Sequence, residues 1–250
     1  MELVSIILPY YKKKDFISLT IESILKQTYK NIEIIIVNDE QSAESRDLLN
    51  NLKKNDPRIL IISNKINLGA GFSRNEAIKI AKGKYLAFCD ADDLWEINKL
   101  ENQLIFMKKN NVNFSHTSYN IINDLGSIIG NRRAYKEIKF KELLRSCDIG
   151  LSTVVVEKKI INDLNINFPN IKTKEDYVVW LYLSKSGVKI MGLDENLTSW
   201  RKLNNSLSSS VIQKIFDGYK VYRQYLKLSV VKSLFYLFLL SVNYVMKKKN

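Results

Sequence analysis

The chain has 250 residues, 46% of them hydrophobic and 26% charged, which allows a sizeable core and excludes a disordered or low-complexity protein. Its net charge is +13, but about +9 of that lies between Arg201 and Asn250, where ten Lys/Arg meet one acid, Asp217. Basic charge concentrated beside an apolar C-terminal segment favours an anionic membrane surface over nucleic acid as partner.

The N-terminus opens into an apolar strand, with no basic stretch and signal core, so a cytoplasmic location is expected. Leu3 to Leu8 reads as that strand, stopped by Pro9, with a Tyr10-Tyr11-Lys12 loop behind it. Ile17, Ile21, Ile24 and Leu25 then mark one face of a helix. Ile32 to Val37 is a second strand ending at Asn38-Asp39. Ala43 to Asn55 is helical and is stopped by Asp56-Pro57. Ile59 to Ser63 is a third strand. Asn67-Leu68-Gly69 is a turn, and Ala77, Ile80 and Ala81 line the inner face of the next helix, closed by Gly83. Tyr85 to Cys89 is a buried strand, and Ile97, Leu100, Leu104 and Met107 trace another amphipathic helix. Cys89 and Cys147 fit no metal-ligand spacing and are expected to be reduced and buried.

Strands alternating with helices in this way predict a mostly parallel sheet covered on both faces. Right-handed crossovers bring Tyr10-Tyr11, Asn38-Asp39 and Asp90-Ala91-Asp92 to one crevice at the carboxyl edge. Asp90, Asp92 and Asp93 crowd together there, and such crowding needs a compensating positive charge. A divalent cation taking oxygen ligands, Mg²⁺ or Mn²⁺, is one answer. An acidic turn in which Asp93 caps a helix beginning near Glu96 is the other.

The second half is less regular. Phe114 to Tyr119 and Leu151 to Val156 look like strands, and Asp124-Leu125-Gly126 like a hairpin turn. His116, the single histidine, is read as structural before catalytic. Ser152, Thr153 and Tyr119 are candidates for an acceptor pocket. Glu175 to Ser186 is apolar nearly all round, hence a buried helix, ended at Gly187. Residues 204–210 form a polar loop. From Ser206 a helix is expected with Val211, Ile215, Tyr219, Tyr222 and Leu226 on one face and Lys220, Arg223 and Lys227 as a basic stripe. Ser233 to Met246 is uncharged for 14 residues before Lys247-Lys248-Lys249, which is short of the ~20 apolar residues a span requires. The segment is expected to lie in a membrane interface, with packing on the domain or on a second subunit as the alternative. The division expected is therefore a domain over 1–205, split into halves 1–110 and 111–205, with a tail over 206–250.

Several motifs occur in a telling order. They are Val4-Ser5-Ile6-Ile7-Leu8-Pro9-Tyr10-Tyr11, Ile21 to Tyr29, Glu33 to Asp39, Gly71-Phe72-Ser73-Arg74-Asn75 with Ala81 to Tyr85, Asp90-Ala91-Asp92-Asp93, and Glu175-Asp176. Together they resemble family 2 glycosyltransferases of the GT-A fold, densely over residues 3–107 and more sparsely to about 203. The resemblance implies an α/β, Rossmann-like fold. It also implies inverting, metal-dependent transfer from a nucleotide-diphosphate sugar, with a UDP-sugar expected, to a hydroxyl of a saccharide or lipid-linked acceptor in bacterial surface-polysaccharide synthesis. Placement is then peripheral, on the inner face of the cell membrane.

By the same resemblance, Pro9 and Tyr11 pack on the base, a place in the core being the alternative for both, and Asp39 reads it, a carboxylate being able to accept from a uracil N3–H. A turn-forming role is the alternative for Asp39, and Asn38-Asp39-Glu40-Gln41 departs here from the family's Asp-Asp-Gly-Ser. Arg74 falls near the diphosphate or makes a surface salt bridge. Asp90 sits near the ribose, Asp92 holds Mn²⁺ or Mg²⁺, and Arg201 reaches the diphosphate from the C-terminal side. Asp176 is the expected base, ahead of Glu175; a helix-capping acid is its bland counterpart. A sugar nucleotidyltransferase is disfavoured because the loop Pro9 to Lys14 has no glycine to cradle a triphosphate. A catalytically degenerate membrane scaffold is the remaining rival.

Overall fold

A computed structural model describes residues 1–203 and 210–249, with side chains to Met246. The start of the tail at Ser206 and most of the polar loop lie outside the described residues. The first half alternates without exception: β1 (Val4–Tyr10), α1 (Lys14–Leu25), β2 (Ile32–Asn38), α2 (Ala43–Asn55), β3 (Ile59–Ser63), α3 (Ala70–Ile80) and β4 (Tyr85–Phe88). These four strands are parallel, in the order β3-β2-β1-β4. Side-chain alternation sorts the core onto the two faces. Ile6, Leu8, Ile34 and Ile36 pack with α1, while Ile7, Ile35 and Val37 pack on the opposite side with α3.

β1 continues through Pro9 instead of stopping there. The Ile7 carbonyl receives the Cys89 amide on the β4 side, and the Tyr10 carbonyl receives the Asp39 amide on the β2 side. By alternation the imide nitrogen of Pro9 faces the β4 side, beyond the last β4 partner, so no ladder bond is lost. Gly83 does not close α3, whose last turn ends at Ala81. It is needed for close approach, since a Cβ there would lie 2.5 Å from the Ser5 amide nitrogen.

The second half comprises β5 (Leu94–Trp95), α4 (Lys99–Asn110), β6 (Phe114–Ile122), β7 (Ile128–Arg132), β8 (Glu137–Ile138), α5 (Phe140–Leu143), β9 (Val155–Glu157), α6 (Lys158–Asp163), α7 (Glu175–Lys185) and β10 (Ile190–Arg201). The sheet runs on from β4 through β9, β6, β10 and β5, with β9 antiparallel to both of its neighbours. The expected strand at Leu151 is a 3-10 turn, Leu151–Thr153, and only Val155–Glu157 joins the sheet. The long strand β10 has no counterpart in the sequence reading, because its centre, Asp194-Glu195-Asn196, is polar and bulged.

Other details differ as well. Ile80 and Ile97 are exposed, since the buried stripe of α3 runs through Ala77 and Ile78, and α4 begins only at Lys99. Cys147 is exposed, whereas Cys89 is buried.

The tail is α8 (Val211–Lys220), a π-helical turn (Val221–Tyr225) and α9 (Val230–Lys249). It is not a detached appendage. Val221, Tyr222, Leu226 and Leu240 join the same core as α7. The face expected to share one environment is divided, with Val211 and Ile215 exposed and Tyr222 and Leu226 buried.

Candidate active site

The crevice lies at the carboxyl ends of β1, β2 and β4, closed by the start of α7 and the end of β10. Tyr11 is exposed beside it and Pro9 is half-buried in the last turn of β1. Behind them Lys13, which was not singled out from the sequence, reaches Asp92 at 2.6 Å. A run of three lysines in a loop facing an acidic loop across one sheet edge was the available signal.

Asp39 is buried, and its carboxylate accepts from Asn64 Nδ2 at 2.7 Å, the Leu68 amide at 2.9 Å and the Gly69 amide at 2.7 Å. It therefore shapes the loop leading into α3. Three of the roughly four acceptor positions of a carboxylate are thus engaged, leaving about one for a base edge. Gly69 sits at φ 85°, the left-handed region that lets its amide turn toward Asp39.

Arg74 is the join of the site. It projects from α3, is nearly completely buried, and donates to Asp90 Oδ1 at 2.8 Å and to Glu175 Oε1 at 2.6 Å. Its guanidinium also lies over the Phe168 ring, 5.4 Å from the centroid. Burial opposes the charge, but Asp90 and Glu175 outweigh it and raise the arginine pKa further. One side chain thereby brings the acidic loop after β4 and the acidic start of α7 within a guanidinium's width of each other. The surface salt bridge weighed from the sequence is instead an interior one.

Asp93 does not cap a helix; α4 is preceded by Asn98. Its two oxygens take the Ser152 hydroxyl and the Arg201 amide, and the Ser152 hydroxyl also accepts the Asp90 amide at 3.0 Å. Ser152 and Thr153 are buried behind the acidic loop, not in an open acceptor pocket. Arg201 is buried too. Its Nε donates to the Asp92 carbonyl at 2.9 Å, and its Nη1 donates to the carbonyls of Asn123 and Asp124 at 3.0 and 2.9 Å. These contacts strap the acidic loop to the β6–β7 hairpin. Tyr119 is half-buried, its hydroxyl pKa pushed up to about 12 by burial. His116 is buried in β6, and desolvation lowers its pKa to about 4, which keeps it neutral near pH 7.

Burial raises the Asp92 pKa, Lys13 pulls it back, and Asp90 raises it again. Asp93 is pushed well up by burial and by its two neighbours. Such carboxylates gain from any added cation. Asp90 and Asp92 are hard oxygen donors whose present partners are Arg74 and the half-exposed Lys13. Among the described residues no three ligating side chains converge. Two such hard donors suit Mg²⁺ or Mn²⁺, which would complete its shell with substrate phosphates and water.

At the start of α7 the two acids differ. Glu175 is committed to Arg74, while Asp176 accepts only the Tyr177 amide at 2.7 Å among the bonds seen. Burial, then the Glu175 charge, pushes the Asp176 carboxyl up to about 7, with Arg74 and the Tyr177 amide pulling the other way. A half-buried carboxylate with a pKa near neutrality suits proton abstraction.

Comparison with known proteins identifies the family and the fold. The family model for glycosyl transferase family 2 matches residues 5–162, short of Glu175, Asp176 and Arg201. The chain is 41% identical over 215 residues to the Escherichia coli UDP-Glc:alpha-D-GlcNAc-diphosphoundecaprenol beta-1,3-glucosyltransferase WfaP, covering 86% of this chain and 83% of that protein. It is 35% identical to the Bacillus subtilis putative teichuronic acid biosynthesis glycosyltransferase TuaG, over 92% of this chain and 91% of TuaG. Among solved structures, S. aureus TarS 1-349 in complex with UDP-GlcNAc superposes with a TM-score of 0.73 at 19% identity, covering 95% of this chain and 70% of TarS. A Pyrobaculum calidifontis mannosyltransferase in complex with GDP-Man and Mn²⁺ gives 0.70 at 13% identity, over 94% and 69%. The fold is thus GT-A, and the chain belongs to glycosyl transferase family 2 as a glycosyltransferase.

Proposed function

We propose that this crevice transfers a sugar, with inversion, from a nucleotide-diphosphate sugar to a hydroxyl of a lipid-linked saccharide in surface-polysaccharide synthesis. A UDP-sugar is the first donor to test, since WfaP is named for UDP-Glc and a diphosphoundecaprenol-linked acceptor. The observation that carries the reading is the Arg74 bridge, which occupies Glu175 and, among the described residues, leaves Asp176 without a salt bridge beside the acidic loop.

In this reading Pro9 and Tyr11 flank the base and Asp39 offers it a remaining lone pair. Asp90 and Asp92 face the ribose and diphosphate. A bound Mg²⁺ or Mn²⁺ would supply Lewis-acid stabilisation of the departing diphosphate, held by Asp92 with Asp90 nearby. Inversion requires the acceptor hydroxyl to attack from the face opposite the leaving group. Asp176 takes its proton there, and Glu175 is kept from that task by Arg74. Arg74 contributes positive charge at the leaving-group side, and Arg201 holds the acidic loop in place. The experiment is a donor screen with purified protein, Mn²⁺ and UDP-glucose, UDP-GlcNAc and GDP-mannose, using a synthetic GlcNAc-diphosphoprenyl acceptor. Nucleotide release that depends on acceptor, and is lost in Asp176→Asn, is expected. No release above buffer from any donor would overturn the reading.

A second observation bears on location. Among the described residues no helix is long and apolar enough to cross a membrane. Yet Val231, Leu234, Phe235, Phe238, Val242 and Val245 line an exposed stripe of α9, and Val211, Ile212, Ile215 and Phe216 are exposed on α8. With the basic residues around them, these helices suit the interface of an anionic bilayer, and in this reading the enzyme works at the cytoplasmic face beside its acceptor. Removing the whole tail would strip the core, so Phe235→Ser with Phe238→Ser is the cleaner variant. It should weaken binding to vesicles containing anionic lipid by roughly tenfold or more. Unchanged binding would refute the assignment.

A further inference from the structure

Asp217, the one acid between Arg201 and Asn250, is wholly buried although it belongs to a helix with much exposed surface. Its Oδ2 accepts from the Thr173 amide at 3.0 Å, the Thr173 hydroxyl at 2.9 Å and the Gln213 carboxamide at 2.9 Å. Lys220 Nζ stands 3.8 Å from Oδ1. A buried carboxylate is unfavourable unless its hydrogen bonds compensate, so this arrangement needs an explanation beyond the stability of α8.

Its partner provides one. Thr173 stands immediately before Lys174, the residue from which α7 and its Glu175-Asp176 pair begin. Lys174 has φ 66° and ψ 17°, a left-handed conformation unusual for a non-glycine residue, and no side-chain cap stabilises it. Conformations of this kind persist where the surroundings over-determine them. Two bonds to Asp217 fix the residue before the turn, and the Val178 amide donates to the Lys174 carbonyl beyond it. Contact is close: a Cβ on Gly218 would lie 2.9 Å from Leu237 Cδ1 and 3.7 Å from Lys174 Cε. A second tie joins α7 to the π-helical turn after α8, since the Tyr177 and Tyr222 hydroxyls lie 3.1 Å apart and donate to the successive Leu143 and Leu144 carbonyls.

We propose that Asp217 is a positioning residue of the transfer reaction: through Thr173 it sets the left-handed turn at Lys174, and thereby the direction in which Asp176 enters the crevice. The inference rests on Asp176 being the base. It gives the C-terminal tail a part in placing the base.

The test compares full-length wild type with Asp217→Ala, Asp217→Asn, Thr173→Val and Asp176→Asn. UDP release from UDP-glucose with Mn²⁺ and the GlcNAc-diphosphoprenyl acceptor is followed, or from whichever donor of the panel is turned over. Circular dichroism and thermal melting are recorded for each variant. Asp217→Ala should lower kcat on the order of 10–100-fold, as a base misplaced by an ångström would, while donor KM stays within about twofold. Asp217→Asn keeps an acceptor oxygen for Thr173 and should recover much of the loss; Thr173→Val should fall between. A folded Asp217→Ala with wild-type kcat overturns the proposal, as do equal losses in Ala and Asn. If Asp217→Ala does not fold, unchanged kcat in both Asp217→Asn and Thr173→Val overturns it. Wild-type turnover by Asp176→Asn removes the base reading and this inference with it. Loss there, with kcat intact in the folded Asp217 variants, overturns the positioning role alone.

Discussion

The acidic loop after β4 and the acidic start of α7 face each other across Arg74, yet they hold their carboxylates in opposite ways. In the loop every acid has a partner: Asp90 has Arg74, Asp92 has Lys13, and Asp93 has Ser152 and the Arg201 amide. At the helix start, among the described residues, Glu175 alone has a cation, and Asp176 stands beside it with one backbone donor. The contrast teaches what each group is suited to. On the proposed reading, the cations that hold Asp90 and Asp92 are also placed to meet a diphosphate, whereas Asp176, raised by burial and by Glu175 and with no cation of its own among the described residues, is placed to take a proton.

The largest effect should come from the loop. Asp92→Ala is expected to reduce transfer to background with the fold intact by circular dichroism, and EDTA should silence wild type until Mn²⁺ or Mg²⁺ is restored. Full activity in chelator would mean that Lys13 and Arg74 alone neutralise the diphosphate, and the contrast would lose its metal. Next comes the helix start. Asp176→Asn should lower kcat by roughly 10²–10⁴-fold, while donor affinity measured by calorimetry stays near wild type. Glu175→Gln, which keeps a weaker acceptor for Arg74, should cost less. A reversal of that order would exchange the two roles.

The comparison is sharpened by pH. On the proposed reading Asp176 must be deprotonated to act, so kcat/KM should rise with pH through about 7, where burial and Glu175 put its carboxyl. In Glu175→Gln the neighbouring anion is gone, and the acid limb should move down. An unmoved limb would assign it to another group.

Smaller effects test the scaffold. Arg201→Ala leaves the carbonyls of Asp92, Asn123 and Asp124 without their buried donors. It should lower unfolding stability by roughly 3 kcal/mol in urea. A wild-type midpoint with lost activity would instead return Arg201 to the diphosphate. The His116 pKa is depressed to about 4 in the fold against about 6.5 unfolded. Its contribution is intact above about 6.5 and is lost as pH falls toward 4, by up to roughly 3 kcal/mol. His116→Gln should flatten the stability profile within that window.

Much of the first half was legible from residues alone. Short apolar runs separated by amphipathic helices admit few arrangements, and parallel order puts Asp39 and Asp90 to Asp92 on one edge by topology. The errors there, Ile80, Ile97 and the continuation through Pro9, are local. They turn on which helix face meets the sheet and on where a neighbouring strand ends. The helix bearing Asp176 was legible too, because it is apolar nearly all round.

What the sequence by itself determined, then, is the fold class, the edge on which the acids gather, and the family to which their order belongs. These depend on periodicity and on contacts between neighbours in the chain. The tertiary structure decided which acid is taken and which is left. Arg74 meets Glu175 across 101 residues, the Arg201 amide meets Asp93 across 108, and Asp217 meets Thr173 across 44. No local pattern specifies such pairings. A buried polar group must find a partner, but which partner reaches it is settled by how the second half packs against the first.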